Sequence, residues 1–86
     1  MLKQAELAYR ERVRLLDSLK AAAAAHAREA FGYDHVHTVD CRDRGDRVWV
    51  LLQGSYMANE ACRFAVVMTR DGRVLRDDAE EEEYRA

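Results

Sequence analysis

Apolar residues recur at steps of three or four positions through the first third of the chain. The recurring positions are Leu2, Ala5, Tyr9, Leu16, Leu19, Ala23 and Ala30. This spacing places them on one side of an α-helix, and the AAAAAHA run has the highest helix propensity available. Gly32 follows as a natural C-terminal cap, because glycine readily adopts the left-handed conformation that ends helices. The pattern predicts a helix from residue 2 to about residue 31.

The period of the pattern changes to two from Val36 onward. Stretches rich in β-branched and aromatic residues follow one another as VHTVDC, RVWVLLQ, ACRFAVVMT and, after an Asp71-Gly72 turn, a short RVL. Glycine-containing turns join the first and last pairs, while the GSYMANE connection at 54–60 is longer. The predicted fold class is therefore α+β, with one long N-terminal helix packed on a four-stranded antiparallel meander sheet.

The turns set a register and assign residues to the two faces of the sheet. A two-residue turn at Arg44-Gly45 pairs Cys41 with Val48, and the Asp71-Gly72 turn pairs Met68 with Leu75. The face predicted to lie under the helix, and to form the core, carries His35, His37, Val39, Cys41, Val48, Val50, Leu52, Cys62, Phe64, Val66, Met68 and Leu75.

The opposite face is predicted to carry an apolar strip with an arginine-rich rim. Its members are Val36, Thr38, Asp40, Trp49, Leu51, Gln53, Arg63, Ala65, Val67, Thr69, Val74 and Arg76. Exposed apolar patches usually mark contact surfaces, and Trp and Arg dominate interface energetics. A few scattered exposed apolar residues would be the alternative, since these are common on monomers. We predict a protein interface with the contact residues Trp49, Leu51, Arg63, Val67 and Arg76.

The predicted helix is longer than the sheet that it covers. Thirty helical residues span about 45 Å, whereas strands of six to eight residues span about 20–27 Å. The first turns of the helix, with Leu2, Tyr9 and Val13, are therefore expected to overhang into solvent, to bend, or to pack on another chain.

The HVHTVDC stretch, residues 35–41, has the composition of a metal site. His35 and His37 share a strand face, but Cys41 lies about 13 Å from His35, too far to share one zinc ion. A ligand set would need His26 or Asp34 as well, and neither a paired Cys-x-x-Cys nor a His-Glu-x-x-His motif is present. We therefore interpret the histidines as a hydrogen-bonded strand end, and we predict no metal and no other cofactor.

Catalytic groupings are sparse in this sequence. Cys41 and Cys62 are predicted on the core face and therefore inert, because a reactive cysteine needs an exposed thiolate. The one gathering of titratable and hydroxyl groups combines His35 with the loop residues Ser55, Tyr56, Asn59 and Glu60. Loops are polar for ordinary reasons, so no catalytic residue is assigned.

Length and composition predict one small folded domain. Eighty-six residues support a single core, and 49% hydrophobic with 35% charged residues is typical of a globular chain. We place the domain at residues 1–76 and an acidic C-terminal tail at 77–86. The tail carries six acidic residues between 77 and 83 and is expected to be solvated, with or without a short helix. The alternative is that it docks onto a basic partner or a second copy.

Charge and cysteine content indicate which partners and which cellular location to expect. Fourteen basic and sixteen acidic residues give a net charge of −2, so the electrostatic attraction that drives nucleic-acid binding is missing. Two cysteines fit reduced thiols, and neither a signal peptide nor a membrane-spanning run is expected. All basic residues except Lys3 and Lys20 are arginine, and the sequence contains no isoleucine and no proline. This bias suggests a GC-rich genome. A cytoplasmic bacterial or phage protein is expected.

The order of one long helix and four meandering strands resembles the cystatin-like arrangement, in which a sheet wraps a helix. The resemblance covers most of the chain at the level of topology. Cystatin protease inhibitors carry a Gln-x-Val-x-Gly hairpin, whereas the nearest string here is LLQGS at 51–55, where Gly54 follows Gln53 directly. No residue and no inhibitory activity is therefore carried over.

These observations favour a small non-enzymatic interaction module. We expect a homodimer, or a subunit or regulator of a larger complex, that binds through the sheet face around Trp49 and through the helix overhang. One alternative is a small histidine-based or metal-dependent enzyme that uses His35, His37 and the 54–60 loop. Another is a phage-type inhibitor of a host protein that binds through its charges.

Overall fold

The architecture is a long helix packed on a four-stranded sheet, in a computed structural model that describes residues 2–57 and 60–86. The elements are α1 (Leu2–Phe31), β1 (His35–Asp43), β2 (Arg47–Ser55), β3 (Cys62–Thr69), β4 (Val74–Ala79) and α2 (Glu81–Arg85). The strands are antiparallel and lie in the order β1-β2-β3-β4. The predicted α+β meander under one long helix is therefore confirmed.

The second half of α1 packs on the sheet. Leu19, Ala23 and Ala27 are buried there, and the small alanine side chains let the helix lie close to the strands. The N–H of Gly32 donates to the carbonyl of Arg28 over 2.9 Å, and Gly32 has φ +70°. The predicted glycine cap at the end of the helix is therefore confirmed.

The main core lies between α1 and one face of the sheet, which we call the helix face; the other is the outer face. Even-numbered positions of β2 and β3 point toward the helix because side chains alternate along a strand. The buried residues of this core are Leu19, Ala23, Ala24, Ala27, Val36, Val48, Val50, Leu52, Phe64, Val66 and Met68.

The register of the first hairpin differs from the prediction by two residues. The turn is Gly45-Asp46, with Gly45 at φ +86°, and Arg44 N–H donates to the Arg47 carbonyl over 2.9 Å. Cys41 therefore pairs with Val50 instead of Val48. A shift of two keeps each side chain on its predicted face, and Cys41 does pack against the main core.

A β-bulge at Val39 reverses the faces of the first half of β1. Thr38 pairs with Leu52 and Asp40 with Leu51, which leaves Val39 without a partner. One inserted residue inverts the alternation of side chains beyond it. His35 and His37 are consequently on the outer face, Val36 is buried under α1, and Val39 is exposed. The predicted faces of these residues are wrong for this reason.

The turn between β3 and β4 is a three-residue loop and not the predicted two-residue turn. Gly72 N–H donates to the Thr69 carbonyl (3.1 Å), Thr69 N–H donates to the Arg73 carbonyl (2.9 Å), and Gly72 has φ +93°. The extra residue pairs Met68 with Val74, so Val74 packs on the main core and Leu75 is 41% exposed. The predicted faces of Val74 and Leu75 are therefore wrong.

Tyr33 lies flat against Gly54 at one end of the sheet. A Cβ at Gly54 would lie 2.7 Å from Cδ2 of the Tyr33 ring. The ring centroid of Tyr33 is 4.8 Å from that of Tyr56 and 5.7 Å from that of Phe64. The missing side chain at Gly54 therefore lets an aromatic cluster close the end of the main core.

We expect Gly54→Ala to lower the free energy of unfolding by about 1–3 kcal/mol, because the added methyl group must displace the Tyr33 ring. In a background that already carries Tyr33→Ala the methyl group has space. The two substitutions should therefore couple by about 0.5–3 kcal/mol in a double-mutant cycle measured by denaturant unfolding. Equal costs of Gly54→Ala in both backgrounds would contradict the contact.

Candidate interaction surfaces

The outer face of the sheet carries the predicted apolar strip, formed by Trp49, Leu51, Ala65 and Val67. Trp49 pairs with Val67 and Leu51 pairs with Ala65 across β2 and β3, so the four side chains are adjacent. Leu51 and Ala65 are 0% exposed and Val67 is 1% exposed. The strip is therefore covered within this chain.

The C-terminal segment provides that cover. Glu80 alone separates β4 from α2, and the N–H of Tyr84 donates to the Glu80 carbonyl over 3.1 Å. Tyr84 is 0% exposed and forms a second, smaller core with the strip and Ala79. Residues 77–86 were predicted as a solvated acidic tail, but residues 77–79 belong to β4 and Tyr84 is buried, because its aromatic ring, a group that buries about 150–250 Å², closes the strip. The glutamates at 80, 82 and 83 are exposed, as expected. We call residues 80–85 the latch.

Two arginines of β1 and its turn hold the backbone of the latch. Arg42 Nη1 and Arg44 Nη2 both donate to the carbonyl oxygen of Tyr84, over 2.9 and 2.7 Å. The Arg42 guanidinium also lies over the Tyr84 ring at 4.9 Å, and that of Arg44 over Trp49 at 4.8 Å. Both arginines thus hydrogen-bond to the latch, and their cation–π contacts are with Tyr84 of the latch for Arg42 and with Trp49 of the strip for Arg44.

Ion pairs join the glutamates of the latch to the arginine rim. Nη1 of Arg63 lies 3.5 Å from Oε2 of Glu81, and Nη1 of Arg76 lies 2.9 Å from Oε2 of Glu83. The hydrogen bond from Arg85 lowers the pKa of Glu81, with Arg63 adding to the shift, and the hydrogen bond to Glu83 raises the pKa of Arg76. Because these groups are solvent-exposed, each pair contributes little stability alone and is screened by salt.

The hydroxyl of Tyr84 is the weak point of the latch. It is buried and makes no hydrogen bond of good geometry to any described residue. Burial raises the pKa of Tyr84, and the nearby carboxylate of Asp40 raises it further. Interaction with the Tyr84 hydroxyl lowers the pKa of the Asp40 carboxyl group, but the two groups are not aligned for a well-formed hydrogen bond. A buried hydroxyl whose hydrogen bond is poorly formed recovers little of the free energy that it loses on leaving water.

The five predicted interface residues are thus all adjacent to the latch. Leu51 and Val67 lie beneath Tyr84 and are inaccessible while the latch is in place, whereas Trp49 is half-buried. Arg63 and Arg76 make ion pairs with the latch itself. The strip and its rim were predicted from the sequence, but Tyr84 was not. An aromatic residue inside an acidic run, opposite an arginine rim, was the available signal.

The N-terminal half of α1 projects beyond the sheet. All of residues 3–14 are exposed, and α1 runs without a break from Leu2 to Phe31. Tyr9 is 67% exposed and Val13 is 38% exposed. Both continue the stripe that is buried further along the helix at Leu19 and Ala23. Of the three outcomes expected for the helix end, this chain shows an overhang, which we call the projecting segment.

The three histidines do not form a metal site. Nε2 of His26 lies 2.9 Å from Oδ2 of Asp77 on β4, while His35 and His37 are exposed on the outer face of β1. Since β1 and β4 are opposite edges of the sheet, His26 cannot complete a set with the other two. Within residues 2–57 and 60–86, no three His, Cys, Asp or Glu side chains are placed to hold a metal ion.

The start of the 54–60 loop is tied to the junction of α1 and β1. The Tyr56 hydroxyl donates to the Phe31 carbonyl, and the N–H of Met57 donates to Oδ2 of Asp34 over 2.9 Å. His35 pairs with Ser55 in the sheet. No hydrogen bond joins Ser55 or Tyr56 to a histidine in the described part of the chain, Glu60 is exposed, and Asn59 lies outside the described residues.

The two cysteines are in different environments. Cys41 is half-buried, and burial raises the pKa of its thiol, which disfavours the reactive thiolate. Cys62 was predicted to be buried but is exposed, because it begins β3 at the end of the sheet. Its Sγ lies 3.6 Å from the Tyr33 hydroxyl, and this hydrogen bond, helped by burial, raises the pKa of Tyr33 to about 12.

Comparison of the chain with protein-family models, with curated proteins and with solved structures found no match. The resemblance to the cystatin-like arrangement therefore rests on element order alone. Among the described residues, no helix has the length and apolar character needed to cross a membrane.

We expect Cys62→Ala to lower the pKa of Tyr33 from about 12 toward the usual value near 10, because the Cys62 hydrogen bond is the largest cause of the shift. Absorbance of the tyrosinate during an alkaline titration measures this. Because the folded pKa is raised, the associated stability is present below about pH 10 and is lost as the pH rises through 12. Cys41→Ala is the control, and an equal change in both variants would contradict the assignment.

Proposed function

We propose that the protein is a small non-enzymatic interaction module that self-associates through the projecting segment of α1. The observation that carries this proposal is the apolar stripe that continues past the sheet onto exposed turns of the helix. An isolated pair of helical turns is only marginally stable in water, so a helix that projects this far is stabilised when its apolar side is covered.

A second copy in an antiparallel arrangement suits the charges beside the stripe. Glu6 and Arg10 lie next to each other on one flank, with 3.5 Å between Oε1 and Nη2. Under twofold symmetry, a contact from Glu6 to the Arg10 of the other copy is repeated in the reverse direction. A parallel arrangement would instead bring Arg10 against Arg10. Opposite charges therefore support the antiparallel pair, and Ala5 and Ala8 leave space for close approach.

An interaction role has more support than a catalytic one. His35 and His37 are exposed on the outer face of β1, and the Tyr56 hydroxyl of the 54–60 loop bonds to the Phe31 carbonyl and not to a histidine. A charge-driven inhibitor of a host protein has no specific observation in its favour. The projecting segment, by contrast, exposes apolar surface at Tyr9 and Val13, which continue the buried stripe of α1.

We expect Tyr9→Glu to abolish self-association, because it places a charge in the middle of the stripe. Sedimentation equilibrium over a range of concentrations measures the dimer directly, and removal of a central aromatic contact should weaken it by at least about 2 kcal/mol.

Leu7→Glu is the matched control. Leu7 belongs to the same helical turns and is 55% exposed, but it lies on the side away from the stripe. This variant should associate as the unmodified protein does. The proposed surface would be refuted if the unmodified protein were a monomer at all concentrations, or if both variants lost association equally.

A further inference from the structure

We propose that the latch is a displaceable occupant of a docking surface, and that the outer face of the sheet also receives an acidic segment with an aromatic residue from a partner protein. The surface consists of the Trp49 strip and its arginine rim. This inference does not depend on self-association through α1, because α1 covers the opposite face of the sheet.

The latch has several features of a weakly held element. It is a helix of only five residues, far below the length at which a helix is stable alone. No side chain caps its N-terminus, and four consecutive glutamates repel one another. Tyr84 is the single buried side chain that anchors it. Each feature favours opening.

The chemistry of the surface defines what can replace the latch. The floor is apolar, formed by Leu51, Ala65 and Val67 beneath the Tyr84 ring. Four arginines surround it, namely Arg42, Arg44, Arg63 and Arg76. An aromatic side chain fits the floor, and carboxylates beside it fit the guanidinium groups, which recognise planar anions well. A basic or purely aliphatic segment lacks this complementarity.

Competition with the latch sets the requirement on the partner. A short tether gives the latch an effective concentration in the millimolar range. A partner segment must therefore bind more tightly than the latch, through a larger aromatic ring, additional carboxylates or a bonded group in place of the Tyr84 hydroxyl. Opening of the latch then exposes the strip only when a suitable partner is present.

The experiment uses the Tyr84→Ala variant and the peptide AEEEEYRA, which reproduces residues 79–86. Trp49 is the single tryptophan and borders the second core, so its emission reports on the cover. We expect Tyr84→Ala to shift this emission to longer wavelength, and the peptide to reverse the shift with saturation. The unmodified protein should bind the peptide at least about ten-fold more weakly because its own latch competes.

Two controls separate the anchor from nonspecific effects. The peptide with alanine in place of tyrosine should not bind, and Leu7→Ala, which removes an exposed apolar side chain from α1, should behave as the unmodified protein. Binding should also weaken as salt is added, because the rim contacts are exposed ion pairs. A folded Tyr84→Ala protein that does not bind the peptide would overturn the proposal.

A second variant decides the matter if Tyr84→Ala does not fold, as judged by circular dichroism. Glu81→Lys with Glu83→Lys retains the tyrosine but places like charges against Arg63 and Arg76, which should open the latch. This variant is expected to bind AEEEEYRA with the same salt dependence. Failure of the folded double variant to bind the peptide would equally overturn the proposal.

Discussion

The burial of β2 and β3 on both faces is the constraint on which this structure depends. Val48 and the run from Val50 to Leu52 are all fully buried, so consecutive side chains that point in opposite directions both need cover. One helix can cover only one face of a sheet. The chain covers the other with Tyr84, so the cover of the outer face comes from the latch.

The sequence contained enough information for the elements but not for every face. The helix from residue 2 to 31, its glycine cap and the four strands follow from local periodicity and turn chemistry. The bulge at Val39 does not, because a strict alternation cannot place both Val36 and Cys41 inward. That conflict was visible in VHTVDC, yet resolving it required knowing that both residues face α1. Val74 and Leu75 were assigned to the wrong faces for a similar reason, because the loop at Gly72 has three residues and not two.

The outer face was predictable in composition but not in its partner. Trp49, Leu51 and Val67 form an apolar surface that is costly to expose to water, and they were predicted as contact residues for that reason alone. Which segment provides the cover is a non-local question. Tyr84 and Trp49 are separated along the chain by the whole of β3 and β4, and no local pattern links the two. Pairing an acidic run with an arginine rim within one chain was the missing step.

The two cores share strands but not side chains, and this separation determines what can move. Val48, Val50 and Leu52 belong to the main core, whereas Leu51 and Val67 belong to the core under Tyr84. Departure of the latch would therefore remove contacts from the outer face without opening the packing between α1 and the sheet. Local opening at lower free energy than global unfolding is common where an element has few buried contacts. A latch with one buried aromatic anchor and exposed ion pairs fits that description, so access to the strip and stability of the fold can vary independently.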